Sequence, residues 1–287
     1  MRFIWNGFGG LTIGLAIAGL GVPFPLALAA QAVNVNSLKF ELLEQHQIIV
    51  RGGIGPLDGL KLLIDTGSTP SMVDRKVARK LALPVQASEF ESFGQRVRGQ
   101  TAVLPIIRLG PLQAEAVEAG VGDLSFLHGV DAVIGLDVLY RSSFSIDYKQ
   151  RQLVFGPVEA RRPSAPLESR PPFLTVPLTI SGRSVRLLVD TGSGRLVLFA
   201  RRMHGRLPPL QVLGELLMYH LSGASRLDRV MLPLVDFGGS AIDRVEGFMS
   251  DAPVDDYPSG IDGVLGLRVL ASRHVDFDFE RQRLAFR

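Results

Sequence analysis

The chain has 287 residues, 46% of them hydrophobic, a net charge of +3 and no cysteine. That length accommodates two domains with substantial cores, and the apolar content argues against wholesale disorder. The missing cysteine excludes disulfides, thiolate metal sites and a cysteine nucleophile. Lys and Arg are dispersed, and Arg161-Arg162 and Arg201-Arg202 read as solvated surface pairs, so nothing resembles a basic stripe for nucleic acid.

In chain order, residues 1–30 come first and differ in kind from the rest. Arg2 supplies a positive start, no residue from Phe8 to Ala30 is charged, and the small residues Ala27-Leu28-Ala29 and Ala30-Gln31-Ala32 follow Pro23 and Pro25. This is the pattern of a secretory signal peptide. The uncharged run also reaches spanning length, which keeps membrane attachment through an N-terminal anchor as the rival, although prolines and glycines make a poor uninterrupted helix. Either way the remainder is expected outside the cytoplasm, secreted or periplasmic.

Residues 34–156 form the first expected lobe. Ile48–Val50, Leu60–Ile64 and Val103–Leu109 are short apolar or alternating runs bounded by Gly and Pro, which predicts strands. Asp74–Leu83 predicts a helix, with Val77, Ala78 and Leu81 on one face and Pro84 ending it. A short helix is expected after Gly135, then a closing hairpin of Ser145–Tyr148 with Gln152–Phe155. Residues 157–172 contain five prolines among charged and small residues, and read as an extended linker without a core. Residues 173–287 form the second lobe. Leu174–Ile180, a Ser181-Gly182-Arg183 turn and Val185–Val189 predict a hairpin, and Val275–Phe279 with Arg283–Phe286 a closing one.

The two lobes repeat one another. Leu62-Leu63-Ile64-Asp65-Thr66-Gly67-Ser68 recurs as Leu187-Leu188-Val189-Asp190-Thr191-Gly192-Ser193, and between Asp131–Phe155 and Asp262–Phe286 nine of twenty-five positions are identical. A single Asp-Thr-Gly-Ser is an ordinary turn after a buried strand. Two copies, each ending an apolar strand and each followed by an apolar-apolar-Gly segment, point to a shared site. Two carboxylates held about 3 Å apart at an effective dielectric near 20 would repel by about 5 kcal/mol, so such a pair shares one proton. One acid then serves as base toward a water molecule while the other protonates the carbonyl oxygen, with no metal, cofactor or covalent intermediate. Asp65 and Asp190 are the candidate catalytic pair. Gly67 and Gly192 allow close approach of the two loops, Thr66 and Thr191 can bond across them, and Ser68 and Ser193 can donate to the carboxylates.

These motifs, with Ala132–Leu139 and Gly263–Leu270, resemble those of the pepsin-like and retropepsin-like aspartic proteases over nearly all of the chain beyond the leader. Short lobes closed by an Asp147-bearing hairpin look most like the bacterial retropepsin-like lineage, here with two lobes fused. The resemblance implies a mostly β fold of two retropepsin-like β-barrel lobes with few short helices, Asp65 and Asp190 as catalytic acids, and an extended peptide substrate beneath β-hairpin flaps. Phe93–Gly99 and Leu221–Ala224 are the flap candidates. Arg268 stands where the first lobe has Asp137, so the role of that acid is not duplicated. Asp251, Asp255 and Asp256 read as a solvated acidic loop.

Other reagents are thin. His46, His128, His204, His220 and His274 have no ligand spacing and read as surface or packing residues, Glu41 and Glu44 beside His46 included. No Gly-x-Ser-x-Gly elbow appears. The expected activity is that of an aspartic endopeptidase, monomeric with lobes paired within one chain. The alternative is a catalytically weak or inactive duplicated protein that binds extended peptides.

Overall fold

The computed structural model describes residues 15–16, 37–92, 95–160, 163–170, 173–220, 223–251, 260–270 and 274–287. Strands dominate, and the α-helices among the described residues are no longer than six residues.

In the first lobe, strands Gln47–Ile54 and Leu57–Ile64 pair antiparallel and lead directly into Asp65. Leu62, Leu63 and Ile64 are all fully buried, which is why the sequence there is a continuous apolar run rather than an alternation: both faces of the strand are covered. Ala132–Ile134 lies parallel to it, with Ile134 opposite Ile64, and antiparallel to Met72–Asp74. Met72–Asp74 in turn runs parallel to Leu112–Gly122.

The second lobe repeats this order of neighbours. Phe173–Ile180 and Arg183–Asp190 form the delivering hairpin, turned by Ser181 and Gly182, whose φ values of 48° and 76° suit a tight two-residue turn. Gly263–Gly266 lies parallel to Arg183–Asp190 and antiparallel to Leu196–Phe199, which runs parallel to Ser240–Ser250. The chain is thus mostly β, built as two lobes of one topology.

The aspartates that open the later repeat brace this arrangement in both halves. Asp131 Oδ2 accepts from the Lys61 N–H at 2.8 Å, and Asp262 Oδ2 from the Arg186 N–H at 3.0 Å. Each clamps the middle of the strand that carries a candidate acid.

The predicted helix is shorter than expected, at Arg75–Lys80. Asp74 caps it by accepting from the Lys76 N–H, and Leu81 ends it before Ala82 turns left-handed at φ 50°. The termination therefore precedes Pro84. After Gly135 and Gly266 the chain forms one helical turn each, Leu136–Leu139 and the 3-10 turn Leu267–Leu270.

Two long hairpins rise from the lobes: Gln86–Ser92 with Gln95–Leu109, and Gln211–His220 with Gly223–Phe237. Residues 93–94 and 221–222, which fall in the flap candidates, lie outside the described residues. The lobes meet through their closing hairpins, where Phe144–Asp147 pairs antiparallel with His274–Asp278. Phe144 and Phe277 stack across this junction with centroids 4.5 Å apart.

The linker expectation needs correction. Ser164–Pro166 pairs with Arg283–Ala285, Glu168–Arg170 pairs with Phe173–Thr175, and Ala165 and Leu167 are buried. The alternation Ser164, Ala165, Pro166, Leu167, Glu168 is a period-2 strand pattern hidden among prolines, and Pro166 is tolerated on an outer strand. Most of residues 1–30 lies outside the described residues. Leu15–Ala16 forms a short strand parallel to Ser68–Thr69 and antiparallel to Glu91–Ser92. No helix of the described residues is long and apolar enough to cross a membrane.

Candidate active site

Asp65 and Asp190 end equivalent strands and face one another, both fully buried. A Cβ on Gly67 would lie 2.5 Å from the Asp190 carboxyl carbon, and a Cβ on Gly192 would lie 2.7 Å from that of Asp65. Each loop's glycine is therefore seated on the other loop's carboxylate, a closeness no side chain permits.

Thr66 and Thr191 lock the loops together. The Thr66 N–H donates to Thr191 Oγ1 at 3.0 Å, and the Thr191 N–H to Thr66 Oγ1 at 3.2 Å. The same hydroxyls donate onward to opposite strands, Thr66 Oγ1 to Val189 O at 2.8 Å and Thr191 Oγ1 to Ile64 O at 2.7 Å. A hydroxyl is needed because each position must both accept and donate in a buried setting.

The serines act differently from expectation. Ser68 Oγ donates to Pro70 O at 3.2 Å rather than to a carboxylate. Ser193 meets Asp190 through its backbone N–H, 3.0 Å from Oδ1, while its hydroxyl lies against the Arg195 backbone.

The later glycines belong to the same construction. A Cβ on Gly135 would fall 2.3 Å from Ser68 O, and one on Gly266 2.4 Å from Ser193 O. The apolar-Gly segments therefore press on the backs of the Asp-Thr-Gly-Ser loops, which accounts for the two motifs repeating together.

The environment separates the two acids. Burial first, and then the charge of Asp190, raise the Asp65 carboxyl well above the ordinary range. Burial also raises Asp190, to about 6, against the opposing effect of backbone donors. Asp190 Oδ1 accepts from two backbone N–H groups, Gly192 at 2.8 Å and Ser193 at 3.0 Å, whereas Asp65 Oδ1 accepts from Gly67 at 2.9 Å. Both carboxyls are raised, and they titrate as one unit. The second oxygens, Asp65 Oδ2 and Asp190 Oδ2, are buried without a hydrogen-bond partner among the described residues. Two such orphan acceptors at one place are expensive unless a ligand uses them.

The lobes support their loops unequally. In the first, Asp137 accepts from the Ser71 N–H at 3.1 Å and hydroxyl at 2.8 Å, while Ser71 Oγ accepts from the Gly135 N–H at 2.9 Å. Burial raises the Asp137 carboxyl despite these donors. Leu196 and the exposed Arg268 occupy the corresponding places in the second lobe. Asp255 and Asp256 lie outside the described residues.

Two residues beside the site escaped the sequence reading. His46, taken as a surface or packing histidine, is buried with its ring against Gly194, and Gln47 Nε2 donates to Gly192 O at 3.4 Å. Gln47 is 145 residues from Gly192 in sequence, and both His46 and Gln47 lie outside the two repeated sequence motifs, so no pattern flagged them.

With this geometry in view, residues 50–138 match the family model described as Aspartyl protease. The match starts in Gln47–Ile54, the strand paired with the one that delivers Asp65, and ends in the helical turn after Gly135, so it contains the first loop, its glycine support and Asp137. No curated protein matches the chain.

Proposed function

We propose that the chain is an aspartic endopeptidase whose catalytic pair is Asp65 and Asp190. The observation that carries this reading is the reciprocal seating of Gly67 and Gly192 on the opposite carboxylates, which brings two buried carboxyls together at one place. A water bound between them loses a proton to Asp190 as its oxygen attacks the peptide carbonyl carbon. Asp65 gives its proton to the carbonyl oxygen, forming a gem-diol. The proton held on Asp190 then passes to the leaving nitrogen, a diol proton returns to Asp65, and the C–N bond breaks to give an amine and a carboxylic acid. In this proposal Asp190 serves as base and Asp65 as acid, and the shared proton is established behaviour for aspartic-protease dyads.

The substrate in this reading is an extended peptide lying beneath the two long hairpins, added as a strand. Support comes from Leu15–Ala16, which lies as a strand between Ser68–Thr69 and Glu91–Ser92. Residues 1–30 serve as an export leader, so the site works outside the cytoplasm; cell fractionation checks this, and a cytoplasmic chain would refute it.

The decisive test is hydrolysis of a mixed peptide library by the purified protein across a range of pH. Asp65→Asn and Asp190→Asn should each abolish cleavage. Activity surviving either substitution would sink the dyad assignment, and peptide binding without cleavage by the wild type would favour a peptide-binding role instead.

A further inference from the structure

Among the described residues, Asp65 Oδ2 and Asp190 Oδ2 are buried without a partner, and so is Nε2 of His46, whose ring lies against Gly194, two residues beyond Gly192 of the second loop. The proposed chemistry uses the first two and leaves the third. His46 comes from the first lobe, just after Glu44 and Gln45, both left-handed at φ 48° and 65°. This sharp turn sets the imidazole against the second lobe's loop, where a Cβ on Gly194 would come within 2.9 Å of Cγ and 3.1 Å of Cδ2.

The ring's hydrogen-bonding role is fixed by its other nitrogen. His46 Nδ1 lies 2.8 Å from Glu44 O, and a carbonyl can only accept, so Nδ1 carries the hydrogen and Nε2 of the neutral ring is an acceptor. Burial lowers the pKa of His46, the Arg268 and Arg195 charges act in the same direction, and Glu44 opposes them. The neutral ring is therefore favoured.

A buried acceptor calls for a donor. An extended peptide brings backbone N–H groups that need acceptors once they leave water, and one loop carbonyl, Gly192 O, is already engaged by Gln47 Nε2. We infer that His46 Nε2 accepts a hydrogen bond from a backbone N–H of the peptide bound along the second lobe's catalytic loop. His46 is then a positioning residue that the first lobe lends to the second lobe's half of the groove. This rests on reading the site as a peptide-cleaving dyad.

The test uses the full chain and a reduced-amide, non-hydrolysable peptide built on the tightest-binding library sequence. Each backbone N–H of the peptide is replaced in turn by an ester oxygen, and affinities are measured for the wild type, His46→Phe and His46→Gln. At one position the ester should weaken wild-type binding about tenfold and His46→Phe binding less than about twofold, the scale of one lost hydrogen bond. His46→Gln should keep most of the wild-type penalty, because its amide oxygen is also an acceptor. If His46→Phe fails to fold, His46→Ala takes its place. Identical ester penalties in wild type and variant, with binding intact, would overturn this inference alone and leave the dyad standing. If no library peptide binds, both fall.

Discussion

At the scale of single residues, the raised carboxyls of Asp190 and Asp65 make stability depend on pH. Both carboxyls are raised above the ordinary value near 3.8, Asp190 to about 6. Raised acids bind protons more tightly in the folded chain, so stability is greatest below the ordinary value and falls as pH rises through the raised ones. For Asp190 alone that amounts to about 3 kcal/mol. Thermal unfolding should therefore show lower stability at pH 8 than at pH 4.5, and Asp65→Asn should flatten the difference. A wild-type midpoint that climbs steadily over this interval would contradict the assignment. Under the proposed mechanism activity needs Asp190 ionised and Asp65 protonated, so kcat/KM should be bell-shaped, with its acid limb near pH 6. The two limbs belong to the pair as a unit. Thr66 offers a different lever. Thr66→Val strands the Thr191 N–H and the Val189 carbonyl in a buried setting, and should cost about 2–4 kcal/mol in urea unfolding, with Thr66→Ser far milder.

At the scale of elements, the first loop is braced and the second is not braced in the same way. Asp137→Ala leaves the Ser71 N–H and hydroxyl without their acceptor, and should cost about 2 kcal/mol and lower kcat. Arg268→Ala, at the matching but exposed position, should move stability by less than about 0.5 kcal/mol. Equal effects would refute the idea that the lobes hold their loops differently. Much of this was legible because the physics is local. Leu62–Ile64 and Leu187–Val189 announce buried strands by unbroken apolarity, and Gly135 and Gly266 announce close approach. The helix overran its true end because Ala82 and Leu83 look helical and only the left-handed Ala82 stops them. Ala165 and Leu167 were lost among prolines because composition outweighed a short alternation. His46 was illegible for a deeper reason: its importance comes from a contact with the other lobe, and nothing in its own neighbourhood encodes that.

At the scale of the molecule, the closing hairpins join the two lobes, and under the proposed mechanism the lobes must stay paired for either carboxylate to act. Beyond Phe144 on Phe277, the joint contains a polar cluster: His274 Nε2 is 2.8 Å from Asp276 Oδ1, Asp147 Oδ2 of the first lobe is 3.7 Å from His274 Nδ1, and Ser145 Oγ donates to Asp276. Ser145 and Asp276 are directly opposite in the strand register, as are Asp147 and His274. Equivalent positions of the repeat thus carry different, complementary groups, and two second lobes paired in this register would set Asp276 against Asp276. Complementarity of this kind favours pairing unlike lobes, as one chain provides. His274→Ala removes the Nε2 partner of the buried Asp276 carboxylate and should cost about 2 kcal/mol. Asp276→Ala combined with His274→Ala should cost less than the sum of the single changes, because the pair acts as a unit. The assembly makes its own prediction. If the site closes within one chain, specific activity stays constant as the protein is diluted, whereas a site shared between chains loses activity when the complex dissociates. A fall in specific activity on dilution, with the folded fraction unchanged by circular dichroism, would show that the working site is built from two molecules.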